Sequence, residues 1–266
     1  MHAFNYHKAS SVADATAKLA ASDDGRLLAG GQTLIAAMKM RLSTPSDLVD
    51  LAGIAELRGI KVDASSATVG AMTTHATVAA SPEIKKAIPA LALLASEIGD
   101  PMVRNMGTMG GSVANNDPAA DYPAAVLGLG ATVLTSKRKI PADKFFTAMY
   151  ETALEPGEII TAIAFPVPKR AGYSKFKNPA SRYALVGVFV AETANGIRVA
   201  VTGAGPCVFR LPEFEKAFGK SFSPDAVNGI KVPATNLNAD IHASAEYRAH
   251  LITVMAKRAV SQILSK

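Results

Sequence analysis

Two glycine pairs constrain this chain more than any other feature. Gly30-Gly31 stands where Arg26-Leu27-Leu28-Ala29, a short strand pattern, meets a helical pattern running through Leu34, Ala37, Met38 and Met40 to Leu42 and stopping before Pro45. Gly110-Gly111 lies in the stretch RNMGTMGGSVANNDPAAD, from Arg104 to Asp121, which is rich in Gly, Asn and Asp and reads as irregular. Glycine at a strand-to-helix corner lets the backbone approach a ligand, and the free N–H groups of a helix start attract anions. A lone glycine pair need be no more than a tight turn. Two of them, the second framed by Thr108 and Ser112, suit a pyrophosphate, whose oxygens accept hydrogen bonds from many directions. A stretch as long as 104–121 without secondary structure is uncommon unless it binds something.

The remaining patterns predict an α+β chain. SVADATAKLAA, residues 11–21, has helical spacing behind Ser10 and Ser11, either of which can cap it, and Asp47 to Leu51 reads as a strand. These give a first strand-and-helix unit over 1–57. Strands at 59–62 and 67–70, helices from Thr74 and from Ile88 to Ile98, a helix at 124–129 and strands at 131–135 and 159–165 form a second unit, 58–170, with Pro166 to Gly172 as the linker. Strands at 173–177, 184–193 and 196–202, with Asn195-Gly196 as a hairpin turn, and helices at 211–218 and 245–264 form a C-terminal unit, 171–266, an antiparallel sheet with helices packed on it.

Composition excludes several classes of function. The chain has 266 residues, 49% of them hydrophobic and 19% charged, as in an ordered globular protein. Its formal charge of +6 is scattered, with Lys137-Arg138-Lys139 as the only basic run, so no nucleic-acid partner is expected. One cysteine, Cys207, allows neither an internal disulfide nor a cysteine-only metal or iron–sulfur site, which points to a reducing compartment. The five histidines lack zinc-ligand spacing, no serine–histidine–carboxylate arrangement is evident, and no signal peptide or transmembrane segment is read, so the expected location is the cytoplasm. Neither glycine pair is the G-x-G-x-x-G fingerprint, and Gly203-Ala204-Gly205 is followed by Pro206, so a nicotinamide-binding Rossmann domain is not expected. Asn115, Asn116, Asp117 and Asp121 are placed either to accept from ribitol or ribose hydroxyls or to cap a helix starting near Pro118; for Asp117 the cap is the favoured reading.

AGGQTLIAAMKMRLSTPSDLVDL at 29–51 and RNMGTMGGSVANNDPAADYPAAVLGLGA at 104–131 resemble the two FAD-binding signatures of the medium subunit of aerobic carbon monoxide dehydrogenase and its molybdenum-hydroxylase relatives, which include xanthine dehydrogenase and aldehyde oxidase. The likeness continues through GEIITAIAFP at 157–166, YSKFKNPASRYALVGV at 173–188 and TGAGPCVFR at 202–210. It implies a two-subdomain FAD-binding module of the vanillyl-alcohol-oxidase-like type (PCMH-type), followed by the C-terminal sheet with helices. Carried onto this sequence, it implies that Leu28, Ala29, Gly30, Gly31, Gln32, Thr33, Leu34 and Ile35 hold the FAD pyrophosphate through main-chain N–H groups, and that Thr108, Met109, Gly110, Gly111 and Ser112 form the other half of the cradle. Asn116, Asp117 and Asp121 fall in the segment after the second loop, Asp121 at the position expected to bind the adenosine half. Ile98 and Ile160 fall at apolar contacts, with ordinary core packing as the other reading; Thr74 and His75 fall in a stretch near the flavin, with a helix-start role as the other reading for His75. Lys177 falls at a lysine position following an aromatic, and Tyr183 at an aromatic near the isoalloxazine, with packing as its other reading.

The resemblance implies an electron-transfer subunit and no catalytic residue or metal in this chain. A large molybdopterin subunit would oxidise the substrate, a small subunit with two [2Fe-2S] clusters would pass electrons to this FAD, and the assembly would be a dimer of heterotrimers. The branch whose flavin subunit carries its own cysteine-ligated cluster is disfavoured by the single cysteine. A free-standing FAD-dependent oxidase or dehydrogenase is the alternative, and it requires a substrate base in the C-terminal unit; a scaffold is a third reading, and it leaves both glycine pairs unexplained.

Overall fold

The structure is a computed structural model, and it describes residues 1–265. In the first unit β1 (Asn5–Lys8), α1 (Val12–Ala20), β2 (Gly25–Leu28), α2 (Leu34–Lys39) and β3 (Asp47–Asp50) give a parallel sheet in the order β1-β3-β2. The N-terminal strand β1 has too short a pattern to be read from sequence; it pairs with β3 from Asn5–Asp47 to Lys8–Asp50. Ser11, rather than Ser10, caps α1, accepting from the Asp14 N–H.

The second unit contains β4 (Ile60–Val62), β5 (Ser66–Gly70), α3 (His75–Ala80), α4 (Pro82–Ala87), α5 (Pro89–Ser96), α6 (Pro101–Met106), α7 (Met109–Asn115), α8 (Tyr122–Gly128), β6 (Thr132–Thr135), β7 (Lys139–Pro141), β8 (Phe146–Ala148), β9 (Glu151–Thr152) and β10 (Ile160–Pro166). Its sheet runs β4-β5-β10-β6-β7, all antiparallel. The stretch 104–121, expected to be irregular, is instead largely helical. Asp100 caps α6 with Pro101 in its first turn, and Thr108 caps α7, whose first turn holds both glycines. Glycine disfavours an isolated helix by about 1 kcal/mol, but here tertiary hydrogen bonds fix the turn: Met109 N–H donates to Thr73 O and Gly110 N–H to Ala71 O.

The C-terminal unit has β11 (Arg170–Lys177), β12 (Ala184–Thr193), β13 (Gly196–Thr202), β14 (Phe209–Arg210), α9 (Pro212–Lys220) and α10 (Ala245–Leu264), with the sheet in the order β11-β12-β13-β14. Only residues 167–169 lie outside strands between β10 and β11, so the linker is shorter than the expected 166–172. The continuous apolar run of β12 follows from burial on both faces. Val186, Val188 and Val190 pack with Leu251, Ile252, Met255 and Ala259 of α10, while Phe189 and Ala191 belong to the core of the second unit. At about 1.5–3 kcal/mol for each fully buried large apolar side chain, this shared strand fixes the C-terminal sheet against the second unit.

Candidate functional site

Where the three units meet lies a cleft of about 820 Å³, within the range of roughly 300–1,000 Å³ typical of small-molecule and cofactor sites. The first glycine pair forms one wall. Gly31 has φ +70, and a Cβ on Gly30 would stand 2.1 Å from Met106 O and 2.8 Å from Gly107 Cα, so only glycine lets this corner touch the end of α6. Ile35 N–H donates to Gly31 O and Ala37 N–H to Thr33 O, which starts α2. Among the described residues the N–H groups of Gly30, Gly31, Gln32 and Thr33 donate to no protein atom, and all four residues line the cleft. Leu34 lines it too, whereas Leu28 and Ile35 stand behind the corner, with side-chain atoms 3.5 and 2.9 Å from where a Gly31 Cβ would lie.

The second glycine pair plays a different part. Met109 and Gly110 N–H are spent on Thr73 and Ala71, Gly111 N–H on Thr108 Oγ1 at 3.2 Å, and Ser112 N–H on Thr108 O. The expected donors from Thr108 to Ser112 are therefore already engaged. What this pair supplies is clearance at Gly110. A Cβ on Gly110 would meet Ala71 Cβ at 2.5 Å, so α7 can lie close beside the second sheet, whereas one on Gly111 would meet Ala29 Cβ only at 3.4 Å, an ordinary contact. Thr108, Gly110, Gly111 and Ser112 line the cleft, whereas Met109 is fully buried in the core.

His75 opens α3 and lines the cleft at 5% exposure; its Nδ1 is buried without a hydrogen-bond partner, as is the hydroxyl of the neighbouring Tyr122. Burial, assisted by the Arg104 guanidinium, holds the imidazole down to about 4, so it is neutral at pH 7. Thr74 is the cap of α3, its Oγ1 accepting from Thr77 N–H at 3.2 Å, and it is not on the cleft wall. Asp121 lines the cleft, but its carboxylate is turned to protein partners: Oδ1 accepts from Tyr173 and from Lys175 Nζ at 2.9 Å. Burial raises its pKa against the pull of the Lys175 ammonium and the Tyr173 hydroxyl. Lys175 Nζ also donates to Glu97 O and Arg182 O, at 2.9 and 3.1 Å. The lysine turned inward is thus Lys175; Lys177, at the end of β11, is exposed and outside the cleft.

Asn116 contradicts its assignment as a ligand residue. It is 1% exposed and not on the cleft wall, and its amide Nδ2 donates at 2.8 Å to both Ala148 O and Glu151 O, so it is turned away from a ribitol or ribose in the cleft. Asp117 caps the following turn through Ala119 N–H at 2.8 Å while also lining the cleft. Ile98 and Ile160 pack on the main core and line the cleft at once, so their two readings coincide. Tyr183 lines the outer side at 46% exposure. Tyr150, Leu154, Glu158 and Arg182 also line the cleft and were not identified from sequence. Of these, Glu158 and Arg182 lay in motifs already singled out, GEIITAIAFP and YSKFKNPASRYALVGV. Among the described residues no group of three His, Cys, Asp or Glu can hold a metal, and no helix is long and apolar enough to cross a membrane.

Residues 2–168 match the family described as the FAD binding domain in molybdopterin dehydrogenase, and residues 171–263 match the CO dehydrogenase flavoprotein C-terminal domain. The nicotine 6-hydroxylase medium subunit of Paenarthrobacter nicotinovorans is 34% identical over 272 residues, covering 97% of this chain and 96% of that one. The carbon monoxide dehydrogenase medium chain of Afipia carboxidovorans is 36% identical over 280 residues, again covering 97% and 96%. Among solved structures, a reconstituted CO dehydrogenase from Oligotropha carboxidovorans superposes with a TM-score of 0.90 at 33% identity, covering 99% of this chain and 98% of the other.

Proposed function

The chain belongs to the FAD-binding subunits of the molybdopterin dehydrogenases, and from that premise we propose that it carries FAD in the cleft between its three units and relays electrons from an iron–sulfur partner to a terminal acceptor. The observation that carries this reading is the row of four N–H groups without a protein acceptor, Gly30 to Thr33, on residues that line the cleft. A dinucleotide pyrophosphate is the acceptor such a row suits. The residues fit the cofactor in one further respect: the apolar surface of the cleft includes Ile98, Leu154 and Ile160.

When bound, FAD supplies the chemistry of accepting electrons singly and passing them on in pairs. The protein's part is to bind and orient it. The Gly30–Thr33 N–H groups hold the diphosphate, Ser112 and Asp117 offer side-chain oxygens, and Tyr183 covers the outer side. Substrate oxidation is assigned to a large molybdopterin subunit and electron supply to a small [2Fe-2S] subunit, as dehydrogenase medium chains are among the relatives. Assembly as a dimer of heterotrimers and a cytoplasmic location complete the proposal. The medium-subunit relatives favour this relay over a free-standing oxidase.

The test is the absorption spectrum of the purified complex before and after acid precipitation. Release of FAD at about one equivalent per chain, with reduction through the iron–sulfur partner and none by organic substrate acting on this chain alone, is expected. A complex without flavin, which takes up none on reconstitution, would reject the proposal.

A further inference from the structure

A bulky residue in the left-handed backbone region is strained, and Tyr150 is one, with φ +57. It sits in the turn between β8 and β9, where glycine or asparagine would hold the same backbone without the cost of about 1–3 kcal/mol that such a conformation carries. Strain of this kind persists only where the surroundings over-determine it, and here they do. Asn116, the left-handed residue that ends α7 at φ 44, sends its amide to Ala148 O and Glu151 O, one on each side of the Met149-Tyr150 turn. Its own carbonyl accepts from Tyr150 N–H at 3.2 Å. The turn is thus gripped from both ends and from the middle by one buried residue of the helix that carries Gly110 and Gly111.

The result of this grip is visible at the ring. Tyr150 lines the cleft while remaining 58% exposed, and its hydroxyl donates to Asp117 Oδ2 at 3.3 Å, the residue next to its own clamp. Asp117 is itself tied to Ala119 N–H, so the hydroxyl has a fixed acceptor. An exposed tyrosine held in a costly conformation contributes little to the core. Its value lies in where the ring is placed.

We propose that Asn116 is a positioning residue for Tyr150, and that the Tyr150 ring is part of the wall retaining the bound cofactor. The inference rests on the assignment of FAD to this cleft. It accounts for an asparagine that makes no ligand contact and for a strained tyrosine at the cleft mouth by the same mechanism.

The test uses the assembled complex and follows the release of FAD by the rise in flavin fluorescence on dilution. Tyr150→Gly removes the ring and relaxes the backbone, so the thermal midpoint stays at or above that of the wild type while FAD leaves about tenfold faster, a difference of about 1.4 kcal/mol. Tyr150→Phe keeps the ring and releases at close to the wild-type rate. Asn116→Gly keeps the left-handed backbone without the amide and accelerates release to a similar degree; Asn116→Asp, of the same shape but unable to donate to two carbonyls, fails to restore retention. The decisive comparison is the double variant, in which Asn116→Gly adds nothing to Tyr150→Gly. Release from Tyr150→Gly at the wild-type rate, or a full additional effect of Asn116→Gly in that background, would overturn the proposal. A wild-type complex that contains no FAD would instead overturn the cofactor assignment, and this inference with it.

Discussion

His75 makes the stability of this protein depend on pH with the opposite sign from the carboxylates Asp121 and Glu97, whose pKa values burial raises. The imidazole is buried at the start of α3, and burial holds it down to about 4 from its ordinary 6.5. The unfolded chain therefore binds a proton between pH 6.5 and 4 that the folded chain refuses. Stability rises with pH wherever the unfolded state binds more protons. The contribution is accordingly complete above pH 6.5, falls as the pH drops from there to about 4, and is flat below. At about 1.36 kcal/mol per pKa unit the whole effect is on the order of 3 kcal/mol, of which about 2 kcal/mol is lost between pH 7.5 and 5. The chain has no tryptophan, so the assay is urea unfolding of the flavin-free protein followed by far-ultraviolet circular dichroism at the two pH values. His75→Leu, apolar and of similar volume, removes both the titrating group and the orphaned Nδ1. The wild type should lose about 2 kcal/mol more across the window than the variant does. An equal loss in both proteins would refute the reasoning.

Three further outcomes are expected. Gly30→Ala sets a Cβ against Met106 O, so both flavin content and thermal midpoint should fall, by the 1–3 kcal/mol or more that overpacking costs in the case of stability; a stable, fully flavinated variant would show that the corner does not need glycine. Lys175→Met leaves Asp121 buried without its cation and should cost about 3–5 kcal/mol in urea unfolding, with Asp121→Asn restoring much of it. Glu158 is held down to about 2, chiefly by its hydrogen bonds from Arg138, so its contribution is present above its ordinary 4.5 and lost as pH falls toward 2. Glu158→Gln should flatten acid unfolding in that lower window and leave the loss between pH 7.5 and 5 in place.

Much of this architecture is legible in short stretches of chain. β12, β13 and α10 were read at their observed bounds because a doubly buried strand is a continuous apolar run, Asn195-Gly196 is a strong hairpin turn, and a long helix carries its own periodicity. The glycine corner after β2 was equally readable as a place of close approach. Helices α6 and α7 were not read, although Asp100-Pro101 and Thr108 are capping signals, because each has seven residues or fewer and glycine-rich composition outweighed the caps. The carbonyls of Ala71 and Thr73 that hold α7 come from a strand end and loop far away in sequence.

The same division runs through the site. Residue type and local pattern determined that two glycine pairs, a following run of Asn and Asp, and a lysine-bearing strand would lie near one another in function. Tertiary structure decided what each does. It left the N–H groups of the first pair free and engaged those of the second, tied Lys175 to Asp121 and the Glu97 carbonyl, and used the Asn116 amide to grip a turn more than thirty residues away. The physical reason is that conformational preference acts over a few residues, whereas the partner of a hydrogen-bonding group and the side of a strand that is buried depend on whatever the folded chain brings within about 3 Å.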